Sequence, residues 1–213
     1  TGAGKTTLAD IVLGLLEPTS GELRADGTVI TAETLRAWQR SVSYVPQDIF
    51  LTDASVAENI ALGVPLAEVD AARVEACARK AHLHDFITGH LPQGYATTTG
   101  ERGVRLSGGQ RQRVGIARAL YHEADLIVLD EATSALDTLT EREVMAAIAD
   151  LPGTKTVLMI AHRLSTVRGC DRIVVLRDGE IEACGPWDEL LARSGAFRDL
   201  VRHSDIAMVD VAE

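Results

Sequence analysis

Leu126-Ile127-Val128-Leu129-Asp130-Glu131 is the stretch from which the fold can be read. Four consecutive apolar residues closed by two acids read as a strand buried on both faces, and such strands belong to parallel sheets covered by helices. On its N-terminal side, Ser107 to about His122 has helical spacing; on its C-terminal side, 138–150 does too, and Thr156 to Ile160 is a second apolar run of strand length. Further out, Ser41-Val42-Ser43-Tyr44-Val45 reads as a strand stopped by Pro46-Gln47-Asp48. Leu8, Ile11, Val12, Leu15 and Leu16 predict a helix over about 5–16, followed by two short strands within 21–30 and a helix near 32–40. From about 53 to 121 the pattern is helical, with helices over 55–62 and 67–83 and a Gly- and Thr-containing loop over 91–105. Near the C-terminus, Ile173 to Leu176 and Ile181 to Ala183 flank an Asp178-Gly179 turn as a hairpin, and helices follow over 187–193 and 195–203. Strands alternate with helices at both ends around an all-helical block, which predicts an α/β fold: a core from 1–52 and 122–203, a helical subdomain at 53–121 and a polar tail at 204–213.

Composition narrows the class. The 213 residues carry 21 Lys+Arg against 31 Asp+Glu, a formal charge of −10, which argues against a protein that holds nucleic acid on a broad basic surface. The 46% apolar and 24% charged fractions are those of a folded globular chain. Cys77, Cys170 and Cys184 are odd in number and form no CxxC, so reduced thiols in a cytosolic setting fit better than a disulfide framework or a zinc site. No run of about 18 apolar residues occurs.

Three strings carry chemistry. The chain opens Thr1-Gly2-Ala3-Gly4-Lys5-Thr6-Thr7, at the start of the first helix. A Gly-rich turn running into a helix N-terminus presents backbone N–H groups to an anion; Lys5 would reach the β and γ phosphates, and the Thr6 hydroxyl would hold Mg²⁺. The full pattern G-x4-G-K-[ST] needs a Gly two positions before Thr1, so the motif looks cut and an upstream part is expected. Alone, the string also suits, less well, a loop Gly followed by a first-turn Lys. In the second string, an apolar strand delivers Asp130 to a Mg²⁺ shell and Glu131 as the base that orients and deprotonates a water. Alone, the two acids equally suit a cap on the next segment. The third is Leu106-Ser107-Gly108-Gly109-Gln110: Ser107 is a good N-cap, and the two glycines bare the N–H groups of a helix start. Such a pentamer arises by chance in roughly one chain of several thousand at average residue frequencies.

Taken in order, these strings resemble the nucleotide-binding domain of ABC transporters along essentially the whole chain. Gly4-Lys5-Thr6 matches Walker A, Gln47 the Q-loop, 106–110 the signature, and 126–130 Walker B with Glu131 after it. Ser134-Ala135-Leu136-Asp137 matches the D-loop and His162 the H-loop. The resemblance implies a P-loop NTPase core with an inserted helical signature subdomain and an antiparallel β-subdomain that is incomplete here. It implies two ATP molecules held in a head-to-tail dimer of cassettes. Gly2, Ala3, Gly4, Lys5, Thr6, Thr7, Gln47 and Asp130 would bind ATP, and Thr6, Gln47 and Asp130 the Mg²⁺. Ser107, Gly108, Gly109 and Gln110 would come from the partner; Glu131, His162 and Lys5 would be catalytic, and Asp137 would support the dimer interface. Thr99-Gly100-Glu101-Arg102-Gly103 is similar to the X-loop of exporters, which touches a transmembrane domain, fused upstream or separate. The stretch from Val45 to Gly63 is exporter-like as well. GIARALYH, MIAHRLSTVR and LHDFI are similar to transporters that flip lipid-linked oligosaccharides or polysaccharides. The implied place is the cytoplasmic face of a bacterial inner or plasma membrane.

The adenine-stacking aromatic of this family lies upstream of Walker A, and Tyr44, on the strand before the Q-loop, does not replace it. Weak ATP binding is therefore expected of these residues alone, and an open sheet edge with it. Other classes compete. A chromosome-type ABC ATPase would carry a long coiled coil between Q-loop and signature, whereas the 59 positions from Gln47 to Leu106 suit a compact helical lobe. The negative charge also disfavours DNA. A translation factor of this family would need two cassettes, and a degenerate regulatory cassette would lack Glu131, His162 or Ser107.

Overall fold

The structure, a computed structural model, describes residues 3–133, 135–149, 151, 155–161 and 164–203. The chain divides into two compact units, Arg24–Met159 and Thr1–Leu23 with Ile160–Glu213.

The smaller unit begins with α1 (Lys5–Val12). Helical spacing extends through Leu16, but the helix stops at Val12 because Gly14 turns left-handed (φ 67°). The Gly14 N–H then donates to the Ile11 carbonyl at 3.0 Å and the Leu15 N–H to the Asp10 carbonyl at 2.8 Å, the double closure that a C-terminal glycine makes available. Leu15 and Leu16 end up exposed.

In the larger unit, β1 (Arg24–Ala25) and β2 (Thr28–Val29) form a minimal antiparallel ribbon. After α2 (Leu35–Arg40), β3 (Val42–Val45) enters the sheet. The helical block follows: α3 (Val56–Ile60), a 3₁₀ turn at Leu66–Glu68, α4 (Ala71–Lys80), α5 (His84–His90), 3₁₀ turns at Gly94–Ala96 and Glu101–Gly103, and α6 (Gly108–Tyr121). The single helix expected over 67–83 is shorter for two local reasons. Asp70 caps α4 by accepting the Arg73 N–H at 3.0 Å, and His82 turns left-handed (φ 51°) so that the Leu83 N–H closes on the Ala78 carbonyl at 2.9 Å. Next come β4 (Leu126–Asp130), α7 (Thr138–Ala149) and β5 (Thr156–Ile160), with the sheet order β3-β4-β5. β3 and β4 pair in parallel, Val42 opposite Leu126 through Val45 opposite Leu129. The fold is α/β, as the sequence predicts.

The remaining elements belong to the smaller unit. They are α8 (Leu164–Val167), the antiparallel hairpin β6 (Ile173–Arg177) and β7 (Glu180–Gly185), α9 (Trp187–Arg193) and α10 (Gly195–His203). The Asp178-Gly179 turn is left-handed at both residues (φ 50° and 83°), and the local core is Val175, Leu190 and Phe197. The tail expected at 204–213 lies outside the described residues.

α6 is the spine of the larger unit and packs on β3, α3 and α4. Val114, Ile116 and Ala117 are buried with Val56, Ile60, Val74 and Leu129. Burying one such branched side chain stabilises by about 1.5–3 kcal/mol. Gly115 allows a close approach: a Cβ there would stand 2.4 Å from Ile49 Cδ1. One buried polar side chain organises the loops around this core. Asn59 is fully buried; its Oδ1 accepts the Thr52 N–H at 3.0 Å, and its Nδ2 donates to the Thr52 and Ser55 carbonyls at 3.1 Å. Its own carbonyl accepts from Arg118 Nε at 2.8 Å, and buried Thr99 donates to the same Thr52 carbonyl at 2.9 Å. Asn59 therefore fixes the segment 52–55 against the residues that open the Thr99–Gly103 loop. Replacing Asn59 by Ala leaves these groups buried and unpaired, and is expected to lower unfolding free energy by about 2–3 kcal/mol. Urea unfolding checks this, and a loss below about 0.5 kcal/mol contradicts the organising role.

Candidate active site

In the smaller unit Gly4 is the N-cap of α1 in left-handed conformation (φ 90°), and its carbonyl accepts the Leu8 N–H at 2.9 Å. A Cβ on Gly4 would be an ordinary 3.6 Å from Gly179 Cα, so glycine is required there by backbone angle rather than by space. α1 has no side-chain cap and no acid in its first turn. Its leading N–H groups therefore have no carboxylate or hydroxyl of their own helix to accept them, which is the condition an incoming phosphate meets favourably. Lys5 occupies the first helical position half-buried, and Thr6 and Thr7 are exposed beside it. Ala3 lines a 210 Å³ cavity with Arg177, Asp178 and Glu182 of the hairpin. Gly2 lies outside the described residues.

In the larger unit β3 and β4 run in parallel and end side by side, so Gln47 and Asp130-Glu131 follow the carboxyl ends of neighbouring strands, the edge at which open α/β sheets hold ligands. Gln47 is exposed and Asp130 half-buried. Tyr44 donates its phenolic hydrogen to Asp130 Oδ2 at 3.3 Å. The strand-borne tyrosine thus orients the carboxylate. Glu131 is half-buried and left-handed (φ 49°), a conformation that costs a non-glycine residue about 1–2 kcal/mol.

The third string forms the start of α6. Ser107 Oγ accepts the Gln110 N–H at 3.2 Å and Gln110 Oε1 accepts the Ser107 N–H at 2.8 Å, a complete capping box. The Arg111 N–H closes on the Ser107 carbonyl at 2.9 Å. The Gly108 and Gly109 N–H groups are the first-turn donors with no partner inside the helix. A Cβ on Gly109 would lie 3.1 Å from the Ala135 carbonyl oxygen, so this glycine also serves a contact within its own chain.

The loop after Glu131 is pinned at several points. Thr133 donates to buried Glu141 at 2.9 Å. Asp137 caps α7, accepting the Thr140 N–H at 3.0 Å and the Thr140 hydroxyl at 2.7 Å, and these bonds hold its carboxyl below the usual carboxylate range. Buried Gln112 accepts the Ala135 N–H at 2.9 Å and donates to the Gln47 carbonyl at 3.5 Å. Sequence reading passed over Tyr44, Asn59 and Gln112 as functional residues. For Gln112 a signal existed: it is a polar residue in line with Ile116, Ala119 and Leu120 on the apolar stripe of α6. Ser134 and His162 lie outside the described residues.

The smaller unit thus carries a phosphate-suited helix start, and the larger unit carries a pair of acids at a strand end and a glycine-opened helix start. The ABC transporter family matches residues 1–134 of this chain. The chain belongs to the ABC transporter family. It is 46% identical over 202 residues to an ATP-dependent lipid A-core flippase of Cupriavidus metallidurans, covering 94% of this chain and 34% of that protein. It is 47% identical over 210 residues to a beta-(1→2)glucan export ATP-binding/permease protein of Agrobacterium fabrum, covering 99% and 35% respectively. A solved bacterial Atm1-family ABC exporter with ATP bound superposes with a TM-score of 0.88 at 39% identity, over 95% of this chain and 35% of that one. The chain therefore spans about a third of the length of the relatives it matches.

For this ABC cassette the left-handed Glu131 has a measurable cost. Glu131→Gly is expected to exceed Glu131→Gln in unfolding free energy by about 1 kcal/mol, because only glycine takes that backbone without strain. Chemical denaturation of the two variants side by side makes the comparison, and equal stability would show that the strand end relaxes.

Proposed function

We propose that this chain is the ATP-hydrolysing cassette of an ABC exporter or flippase, driving a lipid-linked or amphipathic substrate across a membrane from its cytoplasmic face. The observation that supports the reading is the parallel pairing of β3 and β4, after whose carboxyl ends follow Gln47 on one strand and Tyr44-bonded Asp130 and left-handed Glu131 on the other. The likeness to exporters and flippases supports the transport role.

In this reading the first turn of α1 and Lys5 hold the β and γ phosphates of ATP, and Thr7 lies beside them. Thr6, Gln47 and Asp130 would hold Mg²⁺. Their hydroxyl, amide and carboxylate oxygens are hard donors of the kind that ion takes, and it would neutralise developing charge on the phosphates. Tyr44 keeps Asp130 aimed. Glu131 orients a water for in-line attack on the γ-phosphate and accepts its proton, and His162 is assigned to the γ-phosphate. Ser107, Gly108, Gly109 and Gln110 complete the site of a second cassette across a two-fold axis: a helix start offering two unpartnered N–H groups suits an anion supplied by another molecule. Asp137 and the rest of its loop would line that interface. The Thr99–Gly103 loop, braced through Asn59, would carry closure to a transmembrane partner. Nucleic acid is not among the proposed partners, in keeping with the charge of −10.

Glu131→Gln decides the matter. In the protein expressed from its complete coding sequence, the variant is expected to keep ATP affinity within about twofold, lose turnover by 100-fold or more, and accumulate an ATP-dependent dimer. Nucleotide binding, phosphate release and size-exclusion chromatography read these three properties. Turnover at the wild-type rate would remove Glu131 from the role of base.

A further inference from the structure

We infer that Gln112 is a positioning residue for hydrolysis: its single buried amide locks the Q-loop backbone and the loop after Glu131 onto the signature helix. The inference rests on the proposed ATPase function and concerns a residue outside the nucleotide-binding strings. Gln112 is 3% exposed. Its two amide ends serve two different loops. Oε1 accepts the Ala135 N–H at 2.9 Å; Nε2 donates to the Gln47 carbonyl at 3.5 Å, a long bond but one made out of water. Gly109, one turn earlier on the same face of α6, lets the Ala135 carbonyl approach to where its own Cβ would be only 3.1 Å away. The peptide groups on either side of Ala135 are thus held by α6, N–H by the amide and C=O by the bare glycine. Ile49, two residues beyond Gln47, sits against Gly115 on the same helix. Only three residues lie between Glu131 and Ala135, so fixing Ala135 limits the drift of the base, while the Gln47 bond limits drift of the residue whose amide would hold Mg²⁺.

An amide does this where neither a carboxylate nor an apolar group can. It donates at one end and accepts at the other. Gln112→Glu preserves shape and the acceptor but, when ionised, cannot donate to Gln47. Gln112→Met keeps volume and loses both bonds. Displacing a general base by a fraction of an ångström lowers the rate of the chemical step while leaving phosphate contacts in place.

The test uses the protein expressed from its complete coding sequence. Wild type, Gln112→Met and Gln112→Glu are compared for ATP affinity, kcat and KM, and for hydrogen exchange at the Ala135 amide in nucleotide-free protein. The expected result is a kcat lowered about tenfold in Gln112→Met with KM and ATP affinity within about twofold. Faster exchange at Ala135 accompanies it, and Gln112→Glu recovers activity as the pH is lowered and the carboxyl gains its donor hydrogen. Should Gln112→Met be insoluble, Gln112→Glu across pH carries the same comparison. Unchanged kcat in the folded variants overturns the inference, as does a parallel loss of kcat and ATP affinity that follows the folded fraction. Wild type without turnover overturns the ATPase reading and this inference together; wild-type turnover with an unaffected variant overturns this inference alone.

Discussion

How closely α6 can approach the strand ends is the constraint on which the rest of the larger unit depends. Two glycines set that distance. Gly115 admits Ile49 from the loop after β3, and Gly109 admits the Ala135 carbonyl from the loop after β4. A methyl group at either place would meet atoms at 2.4 Å and 3.1 Å, so close packing here is a matter of backbone against side chain and backbone against backbone. With α6 at that distance, the loops that bear Gln47 and follow Glu131 become walls of the same structure. Further from the sheet, the amide of Gln112 would reach neither.

Polar residues on buried stripes do the fine positioning. Asn59 and Gln112 both occupy places where helical spacing calls for an apolar side chain, and both are buried with bonds to loop backbone. An apolar residue in either place would fill the volume but leave N–H and C=O groups without partners in a region water does not reach. The division of labour is physical: Val, Ile and Ala supply cohesion, and two amides supply register. Arg118 extends the same logic, donating to the Asn59 and Phe50 carbonyls while burial lowers the pKa of its guanidinium.

Much of this was legible in the sequence, and what was missed has identifiable causes. The apolar run 126–129 gave a buried strand, Ser107 gave the start of α6, and Asp178-Gly179 gave the hairpin, because each signal is local. Helix ends were missed where local closure overrode spacing, at Gly14 and at His82; α5 lies inside the stretch read as helical but was not separated as a helix of its own, and α8 was not anticipated. Gly4, Gln47, Asp130, Glu131 and the signature could be named from their strings. The bond from Tyr44 to Asp130 could not, since the two residues meet only through the parallel register of strands separated by the whole helical block. The left-handed backbone of Glu131 leaves no trace in a sequence, because glutamate has no preference for it.

The parallel pairing of Val42–Val45 with Leu126–Leu129 also bears on how the chain acquires its structure. Its partners lie some eighty residues apart in the chain, whereas α4, α5 and the capped start of α6 are held by bonds between near neighbours. Closing so long a loop costs entropy before the strand bonds return it, and local helical contacts carry no such delay. The helical block therefore has the means to organise first and offer α6 as a template on which β3 and β4 meet. The side-by-side ending of Gln47 and Asp130-Glu131 would then be among the last features of this unit to form and among the first to open.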